Sequence, residues 1–309
     1  MRLPSNGKAH LALFGVALIY GANYLIAKVA LNSGYIEPSA FIFLRVSFAT
    51  LIFWGIDRYW VRERVARADW AWFALCALFG VAINQLFFFY GLQLTSPINA
   101  SLLMTTTPIL VLLAASVLLK ERITALKLSG IGLGAAGAVL LILHGKKFAY
   151  QKADALGDVL IFVNATAYAI YLVLVRRLMR RYHFVTVIKW GFTFGWLYVL
   201  PVAWNDLGGV QWAAFTPAIW WSIAYVLVFT SFAAYFLNAY ALKQVSPAIV
   251  SAYIYLQPVL AALFSLWFDQ EPLTPVKLLA GSLIFLGVFL VSRPPRKSRA
   301  LPPSLTKKN

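Results

Sequence analysis

Predominantly apolar stretches of about 18–22 residues recur along this 309-residue chain, and they constrain its fold more than any other feature. At a rise of about 1.5 Å per residue, such a stretch forms a helix long enough to cross a hydrocarbon layer of about 30 Å. The composition agrees, since 61% of the residues are hydrophobic and only 12% are charged, whereas soluble domains carry about 25% charged residues. Each stretch is therefore predicted to be a membrane-spanning helix.

The pattern predicts an all-α integral membrane protein with ten transmembrane helices. The predicted spans cover residues 11–31, 38–56, 70–91, 97–118, 125–143, 156–175, 184–203, 217–240, 247–268 and 273–292. The first span has basic residues before it but no evident small-residue cleavage site, so it is interpreted as a retained helix and not as a signal peptide. The tail at 293–309, rich in Pro and Lys, is predicted to be a disordered, basic cytoplasmic segment.

The basic residues indicate an orientation in the membrane. The formal net charge of +17 would favour nucleic-acid binding in a soluble chain, but here the basic residues flank apolar spans, so no nucleic-acid partner is expected. Most of the 27 Lys and Arg residues lie on alternate connections and in the tail. Because cytoplasmic loops carry an excess of Lys and Arg, we predict a multi-pass protein of the cell inner membrane with both termini in the cytoplasm.

The chain also contains an internal repeat. The stretch "SPINASLLMTTTPIL", which begins at Ser96, returns 150 residues later as "SPAIVSAYIYLQPVL", which begins at Ser246. At this offset, residues 90–140 and 240–290 are identical at fifteen positions. A weaker echo at an offset of 144 suggests that the whole first half is duplicated.

The repeat has a consequence for topology. The two halves, 11–143 and 156–292, each hold five predicted spans. Because five is an odd number, the second half must cross the membrane in the opposite direction to the first. We therefore predict an inverted repeat, an arrangement that suits alternating access and hence transport.

Four elements recur in both copies: a Ser-Pro helix start, a proline within the same span, a glutamate after it, and glycines in the following span. They are Ser96-Pro97 with Ser246-Pro247, Pro108 with Pro258, Glu121 with Glu271, and Gly130, Gly132, Gly134 and Gly137 with Gly281 and Gly287. Together they resemble the EamA domain of the drug/metabolite transporter superfamily, over roughly residues 11–292. The resemblance implies ten helices in two inverted five-helix repeats, a central cavity, and export or uptake of small metabolites such as amino acids. The chain departs from the family pattern at "YGANY" and "NATAY", where many relatives begin the motif with tryptophan.

The two repeated prolines, Pro108 and Pro258, lie near the centres of predicted spans. There the missing N–H frees a carbonyl group and the ring bends the helix. A hinge for alternating access and a static kink that improves packing are equally consistent with this placement. Thr105 and Tyr255, three residues earlier on the same helical face, are candidates for lining a cavity.

Three cations, Lys28, Arg45 and Lys189, fall inside predicted spans, where each costs about 2.5–3.5 kcal/mol at a helix centre. The Asp and Glu residues are predicted to lie at span ends or in loops, which leaves a positive interior suited to a substrate with a carboxylate. Lys28 is interpreted as snorkelling to the interface. The histidines, including His10, are also predicted outside the spans, so facilitated diffusion or exchange is at least as well supported as proton antiport.

The candidate substrate-binding residues combine two of these cations with polar and aromatic side chains at mid-span positions. They are Asn23, Tyr24, Arg45, Asn84, Thr105, Tyr168, Lys189, Tyr235, Asn238, Tyr255 and Gln257, with Pro108 and Pro258 as candidate hinges. A buried amide without a partner is costly, so each amide is expected to face a neighbouring helix or a wet cavity. No catalytic residue, metal site or cofactor is predicted.

The segment "GLGAAG" at 132–137 formally matches the dinucleotide fingerprint, but it lies inside an apolar helix with no preceding strand. Gly130 and Gly134 are better interpreted as a GxxxG motif that permits close helix packing. The fifth and tenth spans are therefore predicted to serve packing within the chain or contact between copies, which leaves a homodimer open.

These observations predict a membrane transporter that moves small metabolites by alternating access, with export of amino acids or related metabolites as the most specific form. Two other classes are kept as alternatives. A membrane-embedded lipid-modifying enzyme would need a buried nucleophile or an acid–base pair in the spans, and a non-transporting scaffold would need neither. The expected partners are a small-molecule metabolite and the lipid bilayer.

Overall fold

The computed structural model describes residues 5–95, 100, 103–118, 120, 124–143, 152–269 and 275–292, and these residues are almost entirely helical. The α-helices are α1 (Ser5–Leu31), α2 (Pro38–Ile56), α3 (Trp70–Ala77), α4 (Asn84–Leu94), α5 (Thr107–Leu118), α6 (Ala125–Leu143), α7 (Lys152–Arg181), α8 (Phe184–Leu207), α9 (Pro217–Tyr225), α10 (Ala234–Leu242), α11 (Pro247–Ala252), α12 (Leu256–Asp269) and α13 (Pro275–Ser292). Several predicted features lie outside the described residues, namely Ser96, Pro97, Glu121, Glu271 and the tail at 293–309.

The hydropathy pattern located the helices well, since α2 and α6 have the predicted bounds and α8 begins at the predicted residue. Six described segments are long and apolar enough to cross a membrane: Gly7–Leu31, Pro38–Val61, Arg67–Leu94, Leu156–Arg181, Phe184–Leu207 and Pro217–Leu242. Two further apolar segments, Thr107–Leu118 and Pro247–Ala261, are shorter. An all-helical fold with several candidate membrane spans is confirmed, whereas the count of ten stays a prediction.

One predicted boundary is wrong in a way that matters for the site. Helix α1 begins at Ser5, and its membrane-length apolar segment begins at Gly7. His10 therefore lies inside this segment, although the sequence placed it outside. The basic and polar residues before the apolar run concealed the true start of the helix.

Helices α2 and α8 run antiparallel, as contacts at both ends demonstrate. Lys189, near the start of α8, binds Asp57, which directly follows α2. At the opposite end, the Ser39 hydroxyl donates a hydrogen bond to Asp206. The two helices are thus fixed in register by polar contacts about one membrane thickness apart.

Three of the membrane-length segments contain π-helical turns, and in two of them the turn joins two α-helices. Leu78–Ile83 joins α3 to α4, and Val226–Ala233 joins α9 to α10. The turn at Leu78–Ile83 packs tightly against the ring of Tyr171, since a Cβ on Gly80 would overlap that ring. Such turns occur frequently at functional sites and redirect the side chains that follow them.

The two repeated proline segments are interrupted at corresponding places. A turn at Thr105–Thr106 precedes α5, and a 3₁₀ turn at Tyr253–Tyr255 precedes α12. Pro108 and Pro258 therefore lie in the first turn of a new helix, where the missing N–H removes no helical hydrogen bond. The sequence predicted a bend within one continuous helix. The structure instead has a break at each site, and a new helix begins one residue before Pro108 and two residues before Pro258.

Helices α6 and α13 pack closely against each other through glycine. A Cβ on Gly287 would lie 2.6 Å from the carbonyl oxygen of Gly130 and 2.7 Å from the backbone nitrogen of Gly134. The GxxxG pair predicted from the sequence therefore serves helix packing within the chain.

A polar network ties the connection between α2 and α3 to the connection between α7 and α8. The buried carboxylate of Asp69 accepts hydrogen bonds from Arg181, at 2.9 Å, and from the Tyr182 hydroxyl, at 2.7 Å. The Glu63 carboxylate accepts a hydrogen bond from the backbone N–H of His183, at 2.7 Å. These contacts join the two halves at the end where α2 finishes.

Candidate functional site

A cavity with about 780 Å³ of empty space, counting its open mouth, lies between the two halves of the chain. One part of its wall is apolar, with Leu13, Val16, Ala17, Phe88, Phe89, Met104, Val250 and Ile254. The other part presents amides, hydroxyls and one guanidinium. A small set of polar groups in a largely apolar concave wall is typical of a small-molecule site.

Eight of the eleven predicted substrate-binding residues line this cavity: Asn23, Tyr24, Arg45, Asn84, Tyr168, Tyr235, Asn238 and Gln257. The sequence reasoning that a mid-span amide needs a wet surface or a partner helix therefore located most of the polar wall. The remaining three, Thr105, Lys189 and Tyr255, do not line it.

Arg45 is the charged group of the cavity wall. Its side chain is buried, its Nε donates a hydrogen bond to the Ser231 hydroxyl at 2.9 Å, and its Cζ lies 4.5 Å from the centre of the Phe89 ring. Ser231 lies in the π-helical turn Val226–Ala233, and its own hydroxyl donates a hydrogen bond to the Val226 carbonyl at 2.9 Å. The guanidinium is thus oriented by a hydroxyl and an aromatic face.

The amides and phenols of the wall are held by hydrogen bonds between helices. Gln85 donates to the Tyr235 hydroxyl at 3.0 Å, and Asn238 donates to the Tyr168 hydroxyl at 2.6 Å. These bonds join α4 to α10 and α10 to α7.

A second set of bonds spans the cavity from α1. The Tyr24 hydroxyl donates to the Gln257 side-chain oxygen at 3.3 Å, and Thr230 donates to the Asn23 side-chain oxygen at 3.0 Å. Both bonds connect the first half of the chain to the second. A solute that enters the cavity therefore meets groups that also hold the two halves together.

Lys189 lies elsewhere and corrects the expectation of an interior without acid. Its Nζ lies 2.6 Å from Asp57 Oδ2, both side chains are buried, and the ammonium also faces the rings of Trp54, at 4.6 Å, and Trp190, at 5.2 Å. The sequence placed Asp57 among the acidic residues at span ends or in loops. A π-helical turn, Asp57–Val61, instead continues α2 and carries this carboxylate inward.

The residues ahead of the prolines are buried in the packing and do not face the cavity. The ring of Tyr255 fits against Gly134, where a Cβ would lie 2.5 Å from it, within an apolar cluster that includes Ala17 and Leu260. Thr105 is buried as well. Lys28, interpreted as snorkelling, donates to the Thr95 carbonyl at the end of α4, at 3.2 Å.

Several lining residues were not among the predicted site residues. Tyr20, Gln85, Asn164 and Thr230 are polar residues within predicted spans, and the signal that located their neighbours applies to them as well. Phe88, Phe89 and Met104 carry no such signal, because an apolar residue in a span is equally suited to lipid, to packing or to a cavity.

Tyr253 connects the cavity to α1 by a contact that the sequence did not reveal. It lines the cavity at the 3₁₀ turn, and its hydroxyl lies 2.7 Å from His10 Nδ1. The two rings pack with centroids 5.8 Å apart.

Apolar helices of membrane length around a cavity with convergent polar groups define a multi-pass membrane protein of the transporter class. The model of the EamA-like transporter family matches residues 7–143 and 155–293, so the chain belongs to this family. It is a membrane transporter, as the resemblance of its repeated motifs predicted.

Relatives with similar sequences carry transporter names. An uncharacterized transporter of Archaeoglobus fulgidus is 28% identical over 93% of this chain and 98% of its own length. The uncharacterized transporter YyaM of Bacillus subtilis is 24% identical over 92% of this chain and 93% of its own length. A probable terminal-alkyne amino-acid exporter of Streptantibioticus cattleyicolor is 26% identical over 75% of this chain and 76% of its own length.

The fold also has a solved counterpart. A crystal structure with 20% sequence identity superposes with a TM-score of 0.71, and the match covers 93% of this chain and 96% of that one. At this identity the likeness shows the shared fold alone.

Proposed function

We propose that the protein exports small metabolites that carry a carboxylate, with amino acids as the leading class, by alternating access across the cell inner membrane. One observation carries this proposal. Among the described residues that line the cavity, Arg45 is the only one with a formal charge, and its guanidinium is hydrogen-bonded to a neutral hydroxyl. A buried cation without a carboxylate partner favours an anionic group in the cavity.

The rest of the wall suits the remainder of an amino acid. The side-chain oxygens of Asn23 and Gln257 accept hydrogen bonds already and have further lone pairs for an ammonium group. Phe88 and Leu13 offer an apolar surface for a hydrophobic side chain. The relative from Streptantibioticus cattleyicolor, with its printed name of probable amino-acid exporter, supports the same substrate class.

Alternating access rests on the predicted inverted repeat, 11–143 and 156–292, with ten spans. Two structural correspondences support it. The π-helical turns at Leu78–Ile83 and Val226–Ala233 lie in the third predicted span of the first half and the third predicted span of the second half. Helix breaks also precede Pro108 and Pro258, which are 150 residues apart. Breaks of this kind allow segments of a helix to change angle, so both prolines remain proposed hinges. A homodimer remains a prediction.

The orientation can be tested by cysteine labelling of a variant that lacks Cys76. Single cysteines at Arg64 and Arg180, which are exposed, are expected to react only from the cytoplasmic side, and one at Gly209 only from the outside. The reverse pattern would overturn the orientation and the direction of export.

The activity can be tested in liposomes that contain the purified protein. We expect counterflow of radiolabelled L-phenylalanine or L-leucine, and about 10–100-fold weaker competition by L-phenylalaninamide, which lacks the carboxylate, because a charge-assisted hydrogen bond contributes about 1.5–3 kcal/mol. Arg177→Gln, at an exposed position, is the matched control for the loss of a cation. Equal competition by the amide and the acid would contradict the role of Arg45.

A further inference from the structure

His10 lies on the face of α1 that lines the cavity. Leu13, Ala17 and Tyr20 of this helix line the cavity, and His10 lies one turn before Leu13. Its Nδ1 is 2.7 Å from the hydroxyl of Tyr253, which itself lines the cavity. A titratable group is therefore joined by one hydrogen bond to the cavity wall.

We propose that His10 is the proton-binding residue of this transporter, and that Tyr253 couples its protonation to the binding of a carboxylate in the cavity. This inference rests on the proposed function, because it concerns the same cavity. According to this inference, the transporter carries a proton as a second substrate, and the proton moves in the same direction as the solute.

The coupling follows from the direction of the hydrogen bond. When the imidazole is neutral with Nδ1 unprotonated, the Tyr253 hydroxyl donates to Nδ1. When Nδ1 takes up a proton, it becomes a donor, and the Tyr253 oxygen must accept. The hydroxyl hydrogen then turns to another acceptor, and the cavity is the space that Tyr253 lines. Protonation of His10 thus provides a hydrogen-bond donor for a carboxylate.

Within the described part of the chain, the elements around His10 carry no other group that ordinarily titrates near neutral pH. The elements packed against α1 are α4, α9, α10, α12 and the turns at 226–233 and 253–255. Their titratable groups are the tyrosines Tyr90, Tyr225, Tyr235, Tyr240, Tyr253 and Tyr255, together with Asp269 at the end of α12 away from Tyr253. On α1 itself, Lys8 lies two residues away. Histidine is the side chain whose ordinary pKa places its change of charge between about pH 5 and 8.

Reciprocity fixes the sign of the coupling. If a proton on His10 strengthens the binding of a carboxylate, a bound carboxylate strengthens the binding of the proton by the same factor. Solute and proton therefore leave together when the solute flows outward down its own gradient. A carboxylate without an ammonium group then crosses with no net charge.

The link between His10 and the cavity can be tested without any solute. A bimane label on Ile254→Cys, in a variant with Cys76→Ala, reports on the wall beside Tyr253. We expect its fluorescence to titrate once between about pH 5 and 8. His10→Gln should abolish this titration and Tyr253→Phe should weaken it, whereas His183→Gln, outside the cavity lining, should leave it unchanged. The same titration in His10→Gln would overturn the inference whichever solute the protein carries.

Proton movement can be measured with L-phenylalanine as the probe, in liposomes that contain the full-length protein and a trapped pH-sensitive dye. We expect an L-phenylalanine gradient to move protons in the same direction, and we expect binding about fivefold tighter at about pH 5.5 than at about pH 7.5. His10→Gln should lose both the proton movement and the pH dependence of L-phenylalanine binding, with His10→Asn as a second variant should the first fold poorly. Phenylalanine flux without proton movement in the unmodified protein, or proton movement that survives in His10→Gln, would overturn the inference. If no solute moves, the proposed function fails, while the fluorescence titration still decides whether His10 acts on the cavity.

Discussion

Arg45 and Lys189 are buried cations that correspond in the repeated sequence, yet the structure surrounds them differently. Lys189 binds a carboxylate, Asp57, at 2.6 Å, between two tryptophan rings. Arg45 donates to the Ser231 hydroxyl in the wall of the cavity and faces Phe89. Both side chains are about equally buried.

This difference indicates that the charge of Lys189 stabilises the fold, whereas the charge of Arg45 is available for binding a ligand. A cation paired with a carboxylate is neutralised inside the protein, and removal of one partner leaves the other uncompensated. A cation held by a hydroxyl and a ring keeps its charge for a ligand. If the halves arose by duplication, their roles diverged at Asp57, because Asp57 neutralises Lys189 and no carboxylate among the described residues is paired with Arg45.

The largest expected effect is on stability, at the Lys189 pair. Asp57→Asn removes the charge with little change in shape and leaves the ammonium buried without a counterion. We expect the free energy of unfolding to fall by about 3–5 kcal/mol, measured as loss of thermal stability in detergent. The double variant Asp57→Asn, Lys189→Met should recover much of this loss. An unchanged melting temperature with lost transport would instead place Lys189 in the transport cycle.

The next effect is on binding, at Arg45. Arg45→Gln should weaken the binding of L-phenylalanine by about 10–100-fold, because it removes a charge-assisted contact with the carboxylate. The melting temperature should hold or rise, since a buried cation no longer has to be desolvated. Arg45→Lys should retain part of the affinity. If Arg45→Gln melts as early as Asp57→Asn, the contrast between the two cations is wrong.

A smaller effect is expected at the residue that orients Arg45. Ser231→Ala removes the hydroxyl that accepts a charge-assisted hydrogen bond from the guanidinium. Because this bond orients Arg45 and does not itself contact the solute, only part of its contribution of about 1.5–3 kcal/mol is expected in binding. We expect about 2–10-fold weaker binding of L-phenylalanine, and Ser231→Thr, which keeps the hydroxyl, should bind nearly normally. Equal loss in both variants would assign the effect to packing of the π-helical turn.

The smallest expected effect is on the pH dependence of stability, and it concerns His183, at the end of the molecule where Lys189 lies. His183 caps α8, and its Nδ1 accepts a hydrogen bond from the backbone N–H of Val185 at 3.4 Å. Burial, together with the nearby Lys243, lowers the pKa of His183, while Glu63 and Asp57 act in the opposite direction.

Because the unfolded chain then binds this proton at higher pH than the folded protein, the contribution of His183 to stability is complete above about pH 6.5 and is lost as the pH falls through the lowered pKa. His183→Asn keeps a capping side chain that does not titrate. Its melting temperature should therefore fall less between neutral and acidic pH. Parallel curves for the two proteins would exclude His183 from the acid response.

Hydropathy predicted most helix positions, because the length and spacing of apolar runs are properties of the chain itself. It missed the breaks at Thr105–Thr106 and Tyr253–Tyr255 and the three π-helical turns, because these depend on which carbonyl group each backbone N–H binds and not on polarity. The start of α1 was also missed, and with it the place of His10.

Polar residues in apolar runs predicted most of the cavity, because an amide inside a membrane needs a partner. The pairing of Lys189 with Asp57 could not be predicted in this way. The two residues are 132 positions apart in sequence, and their contact depends on the π-helical turn that continues α2. No local sequence pattern predicts that turn. The sequence therefore identified both cations and could not tell which was already neutralised.

The π-helical turn at Leu78–Ile83 also gives the protein a simple route to new specificity. Rewinding this turn as a regular α-helix, with none of its residues deleted, would rotate everything beyond it by about 100°, which would turn Asn84, Gln85 and Phe88 away from the cavity together. A substitution that favours regular α-helical winding at this turn can thus replace several wall residues in a single step. Evolution of substrate range in this chain need not proceed one side chain at a time.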